Sequence, residues 1–395
     1  MSLPSWPISA RAQKITSSAI REILKVTERP EIISFAGGLP SPATFPVDRI
    51  RDACATILLQ DPNAALQYGP TEGYMPLRAW IAERCSRNGA QISASQVLIT
   101  TGSQQALDLI AKTLLEKDRN LLVETPTYLG ALQAFSLFEP RFVPVPCDPS
   151  GPIVAELASL ADTPASGLYL LPNFQNPSGR RIPEDRRRAL MEVCAEKHLL
   201  VIEDDPYGEL SYGGETLPSL LSMNQPGVVY TGSFSKLLAP GLRVGYAIAP
   251  EGIFRKLVQV KQAADLHTPS FTQRIVYEVV KHGFLEDHIP SIRALYAGQC
   301  RVMLDALAAH FPREVHWNVP EGGMFIWVTL PRAIDSAALL DKAIAQNVAF
   351  VPGAPFFAHA PQHNTLRLSF VTVPAEKIQA GIAVLGALLR DQLGS

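Results

Sequence analysis

The feature that most constrains the fold is a series of short apolar runs that alternate with helical stretches. Residues 199–203 read LLVIE, a nearly continuous apolar run that is typical of a strand covered on both faces. Further strands are predicted at 97–100, 120–124, 167–171, 228–231 and 244–249, with helices at 103–116 and 184–197. This rhythm predicts an α/β fold in which a mainly parallel sheet lies between helices.

The pattern changes after about residue 285. A helical stretch at 287–310 is followed by predicted strands at 323–330, 348–351 and 366–370, which indicates a smaller α+β domain. A chain of 395 residues suits two domains or one large one, because single cores seldom grow beyond about 250–300 residues. We therefore expect a large domain at 46–285, a small domain at 286–395, and an N-terminal segment at 1–45 that joins the small domain and the active site.

Composition narrows the class of protein. Charged residues make up 18% of the chain and the net charge is −2, which disfavours an electrostatic binder of nucleic acid or anionic membranes. The five cysteines are odd in number and far apart, as expected of free thiols in a reducing compartment. No apolar run has the length of a membrane span, and the first 14 residues lack a signal-peptide core. We expect a cytoplasmic protein.

The first chemical signal is the run YTGSFSK at 230–236, which ends on Lys236 and is followed seven residues later by Arg243. A lysine amine condenses with an aldehyde to a Schiff base, and small hydroxyl residues with an arginine can hold a phosphate. Pyridoxal phosphate (PLP) bears both groups on one ring. Because the run follows a predicted strand, Lys236 would lie at the carboxyl edge of the sheet, where ligands of open α/β sheets bind. By itself the run is also compatible with a surface loop.

Two further motifs follow predicted strands. The run EDDPY at 203–207 brings Asp204 to the end of a strand, with Tyr207 three residues on. A pyridine ring accepts electrons well only while its nitrogen is protonated, and a buried carboxylate maintains that proton. The run PNFQNPSG at 172–179 supplies Asn176, whose amide can donate to the phenolic oxygen of the ring and to a substrate carboxylate. Taken alone, each motif is more commonly a polar turn.

Three single residues are further candidates for cofactor or substrate contacts. Ser103 opens a predicted helix, where its hydroxyl and free N–H groups would form an anion site, and a role as N-cap is compatible with this. Tyr128 follows a strand and could either stack on a planar ring or pack in the core. Arg367 alternates with apolar residues on a strand, which suits a bidentate fork for a carboxylate, although a surface-facing arginine is the alternative.

In this order the motifs resemble those of the fold-type I PLP-dependent aminotransferases of class I and II, over nearly the whole chain. The resemblance implies an aspartate-aminotransferase-like fold, PLP as cofactor and no metal ion. It also implies transfer of an amino group from an L-amino acid to a 2-oxo acid such as 2-oxoglutarate. Ser178 stands where threonine is usual, and Pro206 where a small residue is frequent, but the spacing of the motifs is unchanged.

The resemblance also implies a role for each matching residue. Lys236, Asp204 and Tyr207 would be catalytic, with Lys236 joined to the cofactor and Asp204 facing the pyridine nitrogen. The other implied roles are stacking by Tyr128, bonds to the phenolic oxygen from Tyr207 and Asn176, phosphate binding by Ser103, Gln104, Ser233, Ser235 and Arg243, and carboxylate binding by Arg367 with Asn176. Tyr68 matches the tyrosine that family members lend to the neighbouring subunit, which implies a homodimer.

The N-terminal region resembles one branch of that family. Residues 17–25 and 33–40, SSAIREILK and ISFAGGLP, are similar to the 2-aminoadipate and kynurenine aminotransferases, in which this segment closes over the substrate. Gly37 and Gly38 permit close approach of the backbone, so Gly38 is a candidate substrate contact. Arg21 could pair with a distal carboxylate or be solvated on a helix surface. Donors of the 2-aminoadipate, aromatic and branched or aliphatic types all remain open.

Two other functions are compatible with the same motifs. A carbon–sulfur lyase or synthase of this fold would share the cofactor contacts, because one fold serves several reaction types. An effector-binding module of a transcription regulator would also share them, but the resemblance begins within the first 20 residues and leaves no room for a DNA-binding domain before it. A dinucleotide enzyme is disfavoured, since the chain has neither a G-x-G-x-x-G motif nor a P-loop.

Overall fold

A computed structural model describes residues 6–13, 23, 29–87 and 89–394. Its helices are Ala10–Gln13, Val47–Gln60, Pro62–Leu66, Met75–Ser86, Ser103–Leu114, Leu129–Ser136, Val154–Leu160, Glu184–Glu196, Leu220–Met223, Glu251–Asp265, Ser270–Val280, Phe284–His310, Ser336–Ala345 and Ala375–Leu393. Its strands are Ile33–Ser34, Val97–Thr100, Asn120–Glu124, Arg141–Val145, Cys147–Asp148, Gly151–Pro152, Ala165–Leu170, Val201–Asp204, Val228–Ser233, Gly245–Ile248, His316–Trp317, Phe325–Thr329, Val348–Ala349, Val351–Pro352 and Thr365–Ser369. Within the described ranges, no helix is both long and apolar enough to cross a bilayer.

Seven strands form the large sheet. Their order is Val97–Thr100, Gly245–Ile248, Val228–Ser233, Val201–Asp204, Ala165–Leu170, Asn120–Glu124 and Arg141–Val145. The last five pair in parallel, which confirms the mainly parallel sheet. The strand Gly245–Ile248 is antiparallel to both neighbours. The connection that leads into it contains the 3₁₀ turn Pro240–Leu242 in place of the crossover helix that a parallel return requires.

The strand Arg141–Val145 was not among those predicted from the sequence. It lies at the edge of the sheet and pairs with Asn120–Glu124. It begins with an exposed arginine and contains Pro144, and both features are tolerated on an edge strand but weaken a strand pattern in the sequence.

Both faces of the large sheet are buried, because successive residues of a strand point to opposite sides. Ile202 and Val229 pack into the core on one face, and Val201 and Val228 into the core on the other. All four are fully buried. The continuous apolar run in the sequence therefore reflects a central strand that is covered on both sides.

A second sheet follows in the chain and is antiparallel. Its order is His316–Trp317, Phe325–Thr329, Thr365–Ser369 and Val351–Pro352. The strand Ile33–Ser34 pairs in parallel with Val348–Ala349, and the backbone of Phe35 bonds to Ala349 and Ser369. These bonds anchor the segment after residue 32, so that residues 36–38 reach the end of the strand that bears Arg367.

Candidate active site

Arg367 is a buried cation among neutral partners. Its side chain is only 1% exposed. Nη1 donates to Oδ1 of Asn176 at 2.6 Å, and Nη2 donates to the backbone oxygen of Ala36 at 2.6 Å. The guanidinium lies over the rings of Phe325 and Phe356, at 4.3 and 5.3 Å from the ring centroids. Burial lowers the pKa of Arg367 to about 10. The expected surface-facing alternative is therefore wrong, and the site offers a positive charge to an anionic ligand.

Lys236 lies on the loop after the strand Val228–Ser233, at the carboxyl edge of the large sheet. Its Nζ donates to the backbone oxygen of Gly38 at 2.8 Å. Burial, with smaller effects from the positive charges of Arg367 and Arg243, lowers the pKa of the amine to about 8. About a tenth of the amine is therefore neutral at pH 7, far more than for an ordinary lysine, and the neutral form is the one that attacks a carbonyl or removes a proton.

Asp204 ends the strand Val201–Asp204 and is 2% exposed. Its Oδ2 accepts a hydrogen bond from the Tyr169 hydroxyl at 2.7 Å, and its Oδ1 accepts one from the Thr231 hydroxyl at 2.8 Å. Burial raises the pKa of Asp204 to about 6, and the two hydroxyl donors oppose that rise. A carboxylate has room for further donors, so Asp204 can still accept a bond from a ring N–H.

The two acidic neighbours of Asp204 point to the opposite side of the sheet. Glu203 accepts bonds from the backbone N–H groups of Leu220 and Leu221, at 2.9 and 2.8 Å, and so holds the start of a short helix. Asp205 accepts bonds from Asn173 and from the Tyr230 hydroxyl. These contacts assign local structural partners to Glu203 and Asp205 and leave Asp204 as the carboxylate on the face of the sheet where Tyr169 and Thr231 lie.

The helix Ser103–Leu114 begins beside Arg243. Gly102 is the N-cap, at φ +77°, and Ser103 is the first helical residue, so a role for Ser103 as N-cap is not observed. A Cβ on Gly102 would lie 2.4 Å from Nη2 of Arg243, and a Cβ on Gly245 would lie 2.6 Å from the backbone nitrogen of Ser103. Only glycine fits at these two positions. Together they keep the helix N-terminus and an arginine close enough to hold one phosphate.

The other predicted contacts lie on helices, strands and turns, and each has its own surroundings. Tyr207 is buried and lies edge-on to Phe325, with ring centroids 5.8 Å apart. Tyr128 is half-buried, and burial raises its pKa to about 12. Gln104 donates to the backbone oxygen of Gly130 at 2.9 Å. The Ser233 hydroxyl accepts a bond from the backbone N–H of Ser235 at 3.1 Å.

Tyr68 is an exposed residue, and Arg21 has no position in the structure. Tyr68 is 78% exposed and contacts His267 edge-on, with ring centroids 5.7 Å apart. Arg21 lies outside the described residues, so the structure gives no position for it.

Sequence reasoning missed the residues that support the predicted ones. Tyr169 and Thr231 hold Asp204, and Phe325 and Phe356 hold Arg367. All four lie on apolar strands or in an apolar turn, where a tyrosine, threonine or phenylalanine is ordinary. Their relation to the site depends on strand pairing, which leaves no local signal in the sequence.

The donor set fits PLP. Lys236 would supply an amine for the aldehyde, Asp204 would supply an acceptor for the ring nitrogen, and the glycine-lined start of the helix after Gly102 would form a cradle for the phosphate. Nε of Arg367 is buried without a hydrogen-bond partner among the described residues, as expected where an anionic group of a ligand would approach. The fold and these groups define a PLP-dependent enzyme with the architecture of the aspartate aminotransferases.

Comparison with known proteins identifies the family to which the chain belongs. It belongs to the aminotransferase class I and II family, whose model matches residues 31–385. The 2-aminoadipate transaminase of Thermus thermophilus is 46% identical over 97% of this chain and 96% of its own length. A solved structure of the α-aminoadipate aminotransferase from the same organism, complexed with N-(5'-phosphopyridoxyl)-L-leucine, is 45% identical, covers 98% of both chains and has a TM-score of 0.92. The kynurenine aminotransferase of Pyrococcus horikoshii is 43% identical, with 98% of both chains covered and a TM-score of 0.94.

These comparisons confirm the fold, the cofactor and the reaction class expected from the sequence. The chain is a PLP-dependent aminotransferase. They favour neither the lyase nor the effector-module alternative, because the relatives that are more than 40% identical are named for amino-group transfer.

Proposed function

We propose that this aminotransferase accepts 2-aminoadipate, aromatic and branched or aliphatic L-amino acids as donors and passes the amino group to 2-oxoglutarate. The observation that best supports amino-acid substrates is the buried guanidinium of Arg367, whose partners are neutral and whose Nε has none within the described part of the chain. An α-carboxylate would neutralise this charge. The range of donors follows the relatives, whose names and bound adduct include 2-aminoadipate, kynurenine and leucine.

The cofactor would be held at both ends. Lys236 would bind it covalently, while Tyr128 would stack on the ring and Tyr207 with Asn176 would bond the phenolic oxygen. The proposed phosphate ligands are Ser103, Gln104, Ser233, Ser235 and Arg243. The short approach between Gly102 and Arg243 supports this part of the assignment, because it brings a helix N-terminus and a cation together.

When bound, PLP supplies a protonated ring that stabilises negative charge at the substrate α-carbon. Asp204 would keep the proton on the ring nitrogen. Arg367 and Asn176 would fix the substrate α-carboxylate, and Gly38 would line the substrate site. The Lys236 amine would take the proton from the substrate α-carbon, a task for which a pKa of about 8 is well placed. These assignments make Lys236, Asp204 and Tyr207 the catalytic residues.

We also propose a homodimer in which Tyr68 of one protomer reaches the phosphate of the other. The exposure of Tyr68 supports this assembly. The domain division at 1–45, 46–285 and 286–395 is supported by the two separate sheets. The free thiols at all five cysteines support a cytoplasmic location.

A panel of donors assayed with 2-oxoglutarate tests the substrate range. We expect activity with 2-aminoadipate, kynurenine or phenylalanine, and leucine, and production of glutamate in each case. Release of ammonia and pyruvate from cysteine conjugates, without glutamate formation, would instead indicate the lyase reaction.

Arg21→Ala tests recognition of acidic donors. If Arg21 binds a distal carboxylate, kcat/KM for 2-aminoadipate should fall roughly 10- to 150-fold, because a charge-assisted hydrogen bond is worth about 1.5–3 kcal/mol. Leucine, which lacks that carboxylate, serves as the matched control. An unchanged ratio of the two specificity constants would show that Arg21 is not a substrate ligand.

A further inference from the structure

The phenol of Tyr169 is buried and is hydrogen-bonded to Asp204, the carboxylate proposed to face the pyridine ring of the cofactor. Tyr169 is 0% exposed, and its hydroxyl donates to Oδ2 of Asp204 at 2.7 Å. Its ring packs edge-on against Phe135, with centroids 5.3 Å apart and planes at 85°. The phenol is therefore held by packing as well as by its hydrogen bond, and its hydroxyl has a fixed direction.

The register of the sheet explains this contact. Tyr169 pairs with Ile202, which lies two residues before Asp204, so that Tyr169, Ile202 and Asp204 point to the same face. Thr231 pairs directly with Asp204 on the other side. The two neighbouring strands thus each provide one hydroxyl, and each oxygen of the carboxylate receives one of them.

The hydroxyls of Tyr169 and Thr231 would influence where the proton between Asp204 and the pyridine nitrogen resides. A carboxylate and a pyridine nitrogen that face each other share a proton, which can reside on the nitrogen or on the carboxylate oxygen. Burial favours the neutral acid, because it penalises the charged form of Asp204. Hydrogen bonds donated to the charged carboxylate favour the opposite state, with the proton on the nitrogen.

We propose that Tyr169 is a positioning residue which, together with Thr231, keeps Asp204 ionised and so retains the proton on the cofactor's ring nitrogen. The inference rests on the proposed function, in which Asp204 faces that nitrogen. Tyr169 touches neither the substrate nor the cofactor in this scheme. It acts through Asp204 alone.

The chain contains a matched control for this contact. Tyr230 lies in the same sheet and is also buried, and its hydroxyl donates to Oδ2 of Asp205 at 3.3 Å. Asp205 is the neighbour of Asp204 but faces the opposite side. Tyr230→Phe therefore removes a phenolic donor, at the longer distance of 3.3 Å, from a partly buried carboxylate that is not expected to face the cofactor.

The test is the ¹⁵N resonance of the ring nitrogen in enzyme reconstituted with ¹⁵N-labelled PLP. A protonated pyridine nitrogen resonates far upfield of a neutral one. We expect Tyr169→Phe to move the resonance toward the neutral position, Thr231→Val to do the same, and Tyr230→Phe to leave it in place. The rate constant of the half-reaction with leucine should fall roughly tenfold in Tyr169→Phe, with little change in KM, because one hydrogen bond to a charged group is lost.

Each outcome decides a different point. An unchanged resonance in both Tyr169→Phe and Thr231→Val, with a large change in Asp204→Asn, would overturn this inference and leave the proposed role of Asp204 intact. Equal changes in Tyr169→Phe and Tyr230→Phe would also overturn it, since the effect would then be general. An unchanged resonance in Asp204→Asn would overturn the role of Asp204 itself. If Tyr169→Phe does not fold, Thr231→Val provides the test of whether the hydroxyl donors keep Asp204 ionised, because valine is close in shape to threonine.

Discussion

Replacement of Arg367 tests how much of substrate binding depends on a single buried fork. The guanidinium already uses Nη1 and Nη2 for Asn176 and Ala36, and Nε has no partner among the described residues. Lysine keeps the charge but loses the planar pair of donors, so Arg367→Lys should lose about one charge-assisted bond to the α-carboxylate. Arg367→Leu should lose both charge-assisted bonds to the α-carboxylate. At about 1.5–3 kcal/mol each, kcat/KM should fall roughly 10- to 150-fold for Arg367→Lys and roughly 10²- to 10⁴-fold for Arg367→Leu.

The assay follows the half-reaction by the absorbance change of the cofactor, with L-leucine and with 3-methylbutylamine. The amine has the same side chain but no carboxylate, so its low rate should be similar in the wild type and both variants. Thermal unfolding controls for structure, because Arg367→Leu removes a buried charge but also leaves the oxygens of Asn176 and Ala36 without this donor. A loss of the same factor for leucine and for the amine would refute the reasoning, since Arg367 would then act on the cofactor or the fold.

Three further predictions concern Lys236 and Asp204, the groups proposed to face the ring. Borohydride treatment of the purified enzyme should fix a phosphopyridoxyl group on Lys236, and a label on another lysine would contradict the assignment. The rate of PLP capture by the cofactor-free enzyme should rise about tenfold per pH unit and level off above about pH 8, because the neutral Lys236 amine reacts and its pKa is lowered to about 8; a plateau already at pH 6 would argue against it. Asp204→Asn should stabilise the cofactor-free enzyme against urea. The folded pKa of Asp204 is raised from 3.8 to about 6, so its charge costs about 3 kcal/mol above pH 7 and only about 1 kcal/mol at pH 4.5. An equal gain at both pH values would contradict this.

The sequence alone determined the local features of this protein. The strands near Val201 and Val228 are visible in the sequence because a strand buried on both faces must be apolar throughout, whatever its neighbours are. The polar residues that follow these strands, Asp204 and Lys236, are visible for a related reason. The carboxyl ends of parallel strands meet at one edge, so residues placed there converge without further information.

The tertiary structure decided which of these residues act together. The run at 203–205 offers three consecutive acids, and only the pairing of Tyr169 with Ile202 shows that Asp204, two residues further on, shares a face with Tyr169. Arg367 could have faced solvent until the second sheet placed it between two aromatic rings. The physical reason is that strand register and the packing of one sheet against another are non-local. They depend on residues far apart in the chain, and a shift of one position would have moved every one of these side chains to the opposite face.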